Sequence, residues 1–310
     1  MGGIRMNLFI IGNGFDLAHD LPTQYINFRE YLDEQDWSFL MMLEETYGFC
    51  SDSNIEYLNK YLWQDFESNL SYINETEILE LGAHIDLGLE GGDYGVEETL
   101  DHYWEEQYGY IKKINDYLNS WINQIDINVN KKTNFINEEN NDLFITFNYT
   151  LLLEEVYNIE SYDILHIHGS IDTYDTPPVI GHGDYQKIEE MKSKALEYAN
   201  VHMEKETSIY NAVHNFYERT FKDVKHYIQW NKNFFHKLNE VEQVLIIGHS
   251  FGNVDLPYFK EILSHVPKNT QWNVYYHKSE EESIFKSKLI ETGINKENIK
   301  TYHTSKFFNI

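Results

Sequence analysis

Four short apolar runs constrain the fold of this chain more than any other feature of its sequence. They are residues 7–11, 143–147, 164–167 and 244–247, and each ends at a glycine or a polar cluster. Continuous apolar, β-branched runs of this length are typical of strands that are buried on both faces. A further run, 272–276, and a last weak one, at about 299–302, each follow a predicted helix. Strands that alternate with helices predict an α/β fold with a largely parallel sheet.

Two long polar and aromatic stretches interrupt this alternation. Large apolar side chains recur in them every three or four positions, which predicts helices. In the second stretch, the apolar side chains that would share one face of a helix are Ile188, Met191, Ala195 and Tyr198. We expect one domain over residues 1–310, with a sheet core from about 1–24, 141–185 and 241–310 and helical insertions at about 25–140 and 186–240. The glycine-rich segment 88–95 is expected to be a surface loop within the first insertion.

Two acidic residues in the first insertion, Asp65 and Glu67, lie beside Trp63 on a predicted helix. Side chains at positions i and i+2 of a helix do not share a face, so these two carboxylates are not expected to act together. We expect them to be structural, with Trp63 and Phe66 packing inward.

The balance of charge limits the partners of this chain. It has 51 acidic and 24 basic residues, and its formal net charge is -27. A surface this acidic repels phosphate backbones and anionic lipid headgroups, so neither nonspecific nucleic-acid binding nor membrane binding is expected. No apolar run approaches the roughly 18 residues of a membrane span, and the single cysteine, Cys50, cannot form an internal disulfide. We therefore expect a cytoplasmic protein.

The strongest functional signal directly follows the first apolar run. It is the segment Gly12, Asn13, Gly14, Phe15 and Asp16, which precedes a predicted helix. Glycines let the backbone approach a ligand closely, and the N–H groups at a helix N-terminus favour phosphate. The pattern indicates a nucleotide-binding loop, although residue 17 is Leu and not the third glycine of G-x-G-x-x-G. Taken alone, this segment is better explained as a tight turn, because a strand, G-x-G and helix in succession are common.

Polar motifs also end the other three main runs. Their polar and glycine residues are Asn148 and Thr150, then His166, His168 and Gly169, and finally Gly248, His249, Ser250 and Asp255. Ligands of open α/β sheets bind at the carboxyl ends of the strands, so the four motifs together predict one crevice. Taken singly, Asn148 would serve equally well as a cap on the helix near Thr150, and His168 as a histidine bonded to the backbone.

In their order along the chain, these motifs resemble those of the AbiH phage abortive-infection proteins. The matching segments are 11–16, 21–25, 63–67, 147–150, 166–169, 181–183 and 248–255. The AbiH proteins are themselves similar to the sirtuin-like NAD-binding fold. The resemblance therefore implies a Rossmann-like, mostly parallel sheet and a role in anti-phage defence.

The sirtuin-like resemblance also implies a reaction, the hydrolysis of NAD to ADP-ribose and nicotinamide. Its catalytic roles fall on Asn148 and His168, and NAD is the substrate, with no metal expected. Its cofactor-binding roles fall on Gly12, Asn13, Gly14, Phe15, Asp16 and Ser250. The other candidate cofactor-binding residues are those that the predicted crevice adds, His166, Gly169, Gly248, His249 and Asp255. Asn13 and Thr150 depart from the sirtuin pattern, and Cys50 alone cannot supply the four-cysteine zinc module of sirtuin deacetylases.

The chemistry of NAD cleavage fits these residue types. The nicotinamide–ribose bond breaks through an oxocarbenium-like state, which requires a positioned ribose and a base for water. Asn148 can donate and accept hydrogen bonds, and the His168 imidazole titrates near neutral pH. Such an enzyme must be silent without infection, so the expected partners are a nucleotide, a phage-derived trigger and a second copy of the chain. The helical insertions would serve either as the oligomer interface or as a lid over the site.

Three other functions remain open from the residues. The segment 248–252 fits the G-x-S-x-G elbow of a serine hydrolase that uses Ser250 with Asp255 and either His277 or His303. A metal hydrolase would draw its ligands from His166, His168, His182, Asp184 and His249. A nucleotide-sensing module would use the same crevice without turnover.

Overall fold

Six parallel strands form the sheet of the computed structural model, which describes residues 6–50, 53–84, 93–172 and 175–308. They are β1 (Met6–Ile11), β2 (Leu143–Thr146), β3 (Ile164–His166), β4 (Val241–Ile247), β5 (Gln271–Tyr276) and β6 (Ile299–His303). Every apolar run that was predicted to be a strand is one. The strand order is β3-β2-β1-β4-β5-β6, which is the order of a Rossmann-like fold. The predicted α/β class is therefore confirmed, and the sheet is entirely parallel.

The central strand β1 shows why these runs are continuously apolar. Leu8 is in register with Leu143 of β2 on one side and with Val244 of β4 on the other. Leu8 and Ile10 belong to the core on one face of the sheet, whereas Phe9 and Ile11 belong to the core on the other face. Because both faces are covered, the strand has no solvent side on which polar residues would alternate.

Fifteen α-helices accompany the sheet in the described residues. They are α1 (Asn13–Ala18), α2 (Tyr25–Gln35), α3 (Trp37–Thr46), α4 (Ile55–Leu58), α5 (Phe66–Asn69), α6 (Glu75–His84), α7 (Asp93–Tyr108), α8 (Ile114–Ile122), α9 (Leu152–Glu155), α10 (Tyr185–Asn200), α11 (Glu204–Arg219), α12 (Val224–Trp230), α13 (Lys232–His236), α14 (Leu256–His265) and α15 (Ser279–Glu291). A π-helical segment, Asn59–Trp63, continues α4. None of the helices in the described residues combines the length and the apolar character needed to cross a bilayer.

The chain divides into two compact units. The sheet unit comprises Met1–Gln24, Asn119–Val179 and Asp223–Ile310, and the helical unit comprises Tyr25–Leu118 and Ile180–Lys222. The predicted insertions extend further, to about 140 and 240. They differ from the observed boundary because Phe234 and Phe235 of α13 are buried in the core on the sheet, which places residues 223–240 in the sheet unit. The single domain of the sequence analysis stays a prediction.

The helical unit has the helices that the sequence periodicity predicts. Ile188, Met191 and Ala195 are buried on one face of α10, and Tyr198 stacks on Tyr210 of α11 with ring centroids 5.2 Å apart. Of the predicted loop 88–95, residues 88–92 lie outside the described residues. Residues 93–95 are not part of a loop, because α7 begins at Asp93.

Trp63 and Phe66 of the helical unit pack inward, as predicted. Both are fully buried and stack with ring centroids 4.4 Å apart. Glu67 forms an ion pair with Lys222, whose side chain is completely buried. This carboxylate is thus a structural partner of a buried cation within its own unit.

Candidate functional site

The candidate site lies in the sheet unit, where β1 and β4 are neighbours. The strand order reverses direction at this pair, and such a switch point is where open α/β sheets bind their ligands. Two segments leave the carboxyl ends of these strands. We call residues 12–16, after β1, the glycine loop, and residues 248–255, after β4, the β4 loop. The motifs after β2 and β3 leave the same edge of the parallel sheet.

The glycine loop packs directly on the β4 loop. The backbone N–H of Gly12 donates to the carbonyl of Ile247 at 2.9 Å, and that of Gly14 donates to the carbonyl of Gly248 at 2.8 Å. A Cβ on Gly14 would lie 2.7 Å from the Gly248 Cα, and Gly248 itself has a φ of +68°. The glycines therefore allow two backbones to touch, and the Gly14 N–H already has a protein acceptor.

The other residues of the glycine loop face in different directions. Asn13 is exposed, and its side-chain amide donates to the carbonyl of Thr23 at 2.9 Å. Phe15 is fully buried, and its ring contacts those of His19, Tyr157 and Phe308. Only Asp16 of this loop turns its side chain toward the motif that follows β2.

The Asp16 carboxylate is buried and holds two polar side chains. Asn148 Nδ2 donates to Asp16 Oδ1 at 2.6 Å, and Thr150 Oγ1 donates to Asp16 Oδ2 at 2.7 Å. Burial raises the pKa of Asp16 to about 7, against the opposing effects of the two hydrogen bonds and of the His166 charge. The residue is 1% exposed.

Every polar group of Asn148 except one forms a hydrogen bond with the protein. Its backbone N–H donates to Thr146 Oγ1 at 3.1 Å, and its Nδ2 donates to the carbonyl of Gly12 at 3.2 Å as well as to Asp16. Its carbonyl accepts from His166 Nδ1 at 3.1 Å. No described residue donates to its buried Oδ1. The side chain does not cap a helix, since α9 begins only at Leu152.

His166 lies between two acceptors. Its Nδ1 faces the Asn148 carbonyl, and its Nε2 is 2.8 Å from Glu154 Oε1. The ring can donate to both acceptors only as an imidazolium, so the two contacts favour its charged form. Burial alone would lower the pKa of His166, but the hydrogen bond and charge of Glu154 and the Asn148 carbonyl raise it. His166 is therefore a buried residue whose charged form is favoured, and it supports Asn148 through the Asn148 carbonyl.

His168 and His249 flank the carboxylate of Asp255. His168 Nε2 is 3.3 Å from Asp255 Oδ1, and His249 Nε2 is 3.4 Å from Asp255 Oδ2. Burial would raise the pKa of Asp255, but the two imidazoles outweigh it and hold this pKa well below its usual range. His249 Nδ1 accepts the backbone N–H of Phe251 at 2.9 Å, which identifies this ring as neutral, with its proton on Nε2.

The Phe147 ring lies between the two histidines of this cluster. Its centroid is 5.2 Å from that of His168 and 4.3 Å from that of His249. Because Phe147 precedes Asn148, the Asp16–Asn148–His166 group and the His168–Asp255–His249 group are joined through adjacent residues. The structure thus brings together candidate residues from all four motifs.

Two predicted site residues lie apart from these groups. Ser250 is exposed. Gly169 has a φ of +80°, and a Cβ there would lie 2.4 Å from the carbonyl oxygens of Thr176 and Pro177. Gly169 is thus required by the close approach of a neighbouring backbone.

The geometry does not assemble the serine hydrolase or the metal hydrolase. Asp255 pairs with His168 and His249, not with His277 or His303, and the strained positive φ of this segment falls on Phe251, not on Ser250. In the part of the chain that the structure describes, no three His, Cys, Asp or Glu side chains come together as metal ligands. Both nitrogens of His166 already face protein acceptors.

Sequence reasoning missed one residue of the site, Glu154. It lies on α9, in the connection between β2 and β3, and reaches back to the end of β3. The available signal was a carboxylate in the first turn of the α-helix that lies between β2 and the histidine-bearing strand β3. This signal does not identify His166 as the partner of Glu154, because that pairing depends on the path that the chain takes between β2 and β3.

One family model agrees with these observations. The model described as "Bacteriophage abortive infection AbiH" matches residues 8–276, a span that contains every residue of the candidate site. None of the curated proteins compared with the chain matches it. Since the family match covers well over half of the sequence, the chain belongs to the AbiH family of bacteriophage abortive-infection proteins.

Proposed function

We propose that this AbiH protein binds NAD at the edge of the sheet where β1 meets β4 and hydrolyses it to ADP-ribose and nicotinamide. Asn148 positions the ribose, and His168 accepts the proton of the attacking water. In an abortive-infection protein, this activity removes NAD from the infected cell and stops its growth before phage are released.

The observation that carries the proposal is the unfilled acceptor of Asn148. A buried acceptor without a hydrogen bond costs about 1–3 kcal/mol, and a ligand that donates to it recovers this energy. Ribose hydroxyls are such donors, and NAD carries two ribose rings. Asn148 also contacts the glycine loop, which follows β1 at the switch point where open α/β sheets bind their ligands.

The histidine–carboxylate group supplies the acid–base chemistry. As the bond between nicotinamide and C1 of the ribose breaks, its electron pair leaves with the nicotinamide nitrogen, and water adds to C1. His168 takes the water proton, and the ionised Asp255 stabilises the imidazolium that forms. Because Asn148 and His168 are 6% and 3% exposed, the proposal requires that a neighbouring loop move to admit the ligand.

The test is a mass balance of NAD and nicotinamide with the purified protein. We expect wild type to release one nicotinamide for each NAD consumed, and Asn148→Ala and His168→Ala to lose at least about a hundredfold in rate. The matched controls are Asn211→Ala and His226→Ala, which replace exposed residues outside the motifs. Release that persists in both site variants contradicts the proposal. Binding of NAD without release in wild type favours the sensing module instead.

A further inference from the structure

Asp16 makes the shortest hydrogen bond to Asn148, yet the proposed reaction gives it no role. Its Oδ1 lies 2.6 Å from Asn148 Nδ2, and the carbonyl of Gly12 lies 3.2 Å from the same nitrogen. Both atoms are acceptors, so together they specify that the amide nitrogen, and not the amide oxygen, faces the glycine loop. The amide oxygen, Asn148 Oδ1, is therefore the atom that has no hydrogen-bond partner among the described residues.

We propose that Asp16 is a positioning residue that fixes the orientation of the Asn148 amide and so selects a ligand that donates a hydrogen bond to Asn148 Oδ1. This inference rests on the proposed function only for the identity of the ligand, a ribose hydroxyl. If the amide turned over, its oxygen would face Asp16 Oδ1 and the Gly12 carbonyl, and three acceptors would be in contact. An ionised Asp16 excludes that arrangement.

The protonation of Asp16 controls this selection. A protonated carboxyl can donate to an amide oxygen as well as accept from an amide nitrogen, so it no longer excludes the turned-over amide, and only the Gly12 carbonyl then opposes that orientation. The groups that face the Asp16 carboxyl are Asn148 and Thr150 after β2, and the charged group that acts on it is His166 at the end of β3. His19, on the same helix as Asp16, is bonded to the Phe15 carbonyl and to the Tyr157 hydroxyl.

The first measurement needs no ligand. In protein labelled with ¹⁵N-asparagine, the Asn148 side-chain amide signal is the one that disappears in Asn148→Ala. We expect this signal to shift with pH through a midpoint near 7 in wild type, since burial raises the pKa of Asp16 to about 7, and not to shift in Asp16→Asn. An Asn148 signal that titrates equally in both proteins, or in neither, overturns the proposal.

The second measurement is the affinity for NAD between pH 6 and pH 8. Wild type should bind NAD up to about tenfold more weakly at pH 6 than at pH 8, because the ionised fraction of a group with a pKa of about 7 rises about tenfold between these two pH values. Asp16→Asn carries a neutral amide that, like the protonated carboxyl, can donate or accept, so it should bind NAD without this pH dependence and at about the affinity of wild type at pH 6. Asp16→Leu removes the acceptor and should lose about tenfold or more at pH 8.

The control is Asp126→Asn, which replaces an exposed carboxylate of the same unit and should follow wild type throughout. If Asp16→Leu does not fold, the comparison of wild type with Asp16→Asn still decides the question. A pH dependence that survives in Asp16→Asn contradicts the inference. A wild type that does not bind NAD while its Asn148 signal titrates with Asp16 contradicts the proposed ligand and supports the positioning role.

Discussion

At the scale of single residues, Asn148 depends on hydrogen bonds from three separate segments of the chain. The glycine loop holds its amide, Thr146 holds its backbone N–H, and His166 holds its carbonyl. A side chain with two rotatable bonds is thereby limited to one orientation without any contact from a ligand. Such a preorganised group loses little conformational entropy on binding, which is what a binding site needs.

Replacing Glu154 by Gln should weaken the support behind Asn148 in a pH-dependent way. The raised pKa of His166 means that its ionic stabilisation is complete below the unfolded pKa of about 6.5 and is lost as pH rises through the folded pKa. We therefore expect E154Q to lower the free energy of unfolding by about 1–3 kcal/mol at pH 6 and by less at pH 9. Urea unfolding at the two pH values measures this, and an equal loss at both would show that the charge of Glu154 does not matter.

Asp16 makes the opposite contribution to stability. Its folded pKa of about 7 lies above its ordinary value of 3.8, so its contribution is present at low pH and is lost as pH rises through 7. Each pH unit in this window costs wild type up to about 1.4 kcal/mol from this group. Asp16→Asn lacks that titration, so its stability relative to wild type should increase from pH 5 to pH 7 by up to about 3 kcal/mol. Chemical denaturation across this range tests the sign, and a constant difference would contradict it.

At the scale of elements, the site depends on the contact between the glycine loop and the β4 loop. Both loops begin where adjacent parallel strands end, so their backbones meet with no space for side chains at Gly12, Gly14 or Gly248. This close approach places Asp16 beside the motif that follows β2 and Asp255 beside the histidines. The glycines therefore act through packing between the two loops.

A methyl group at residue 248 should disrupt this contact. In Gly248→Ala the new Cβ would lie 2.4 Å from the Phe15 nitrogen, and its φ of +68° disfavours a side chain. We expect a loss of roughly 2–5 kcal/mol in the free energy of unfolding, from overpacking and backbone strain together. Gly252→Ala is the matched control in the same loop, because its nearest neighbour is the Asp255 carboxylate at 3.5 Å. Similar unfolding midpoints for the two variants would argue against the close packing.

The sequence predicts the strands better than it predicts the site. Strands that are buried on both faces must be apolar along their length. The runs at 7–11 and 244–247 therefore predict two buried strands and show where the motifs at their carboxyl ends begin. The partners within the site depend on the paths of connections. Glu154 reaches His166 only because α9 lies between β2 and β3, and Asp255 reaches His168 across two strands. No local sequence pattern encodes contacts between residues that lie far apart in the chain. For the same reason, the sequence assigns Phe15 to the glycine loop but does not show that its side chain is part of the core.

At the scale of the whole molecule, the formal net charge of -27 acts against the compact state. Like charges repel at low ionic strength, and added salt screens them over distances of about 10 Å at 0.1 M. We expect the unfolding temperature to rise by roughly 2–5 °C between 50 and 500 mM sodium chloride. Differential scanning calorimetry in sodium chloride and in potassium chloride separates screening from specific ion binding. A fall with salt would indicate that ion pairs such as Lys222–Glu67 outweigh the repulsion.

The position of β1 in the sheet has a consequence for synthesis on the ribosome. This strand emerges first, yet its neighbours start at residues 143 and 241, and the acid between the two histidines is residue 255. Until residues 241–247 have been made, β1 lacks at least one of its two neighbours, and a product that terminates before residue 255 lacks the carboxylate between the two histidines. The His168–Asp255–His249 group can therefore assemble only after β4 and the β4 loop have been synthesised.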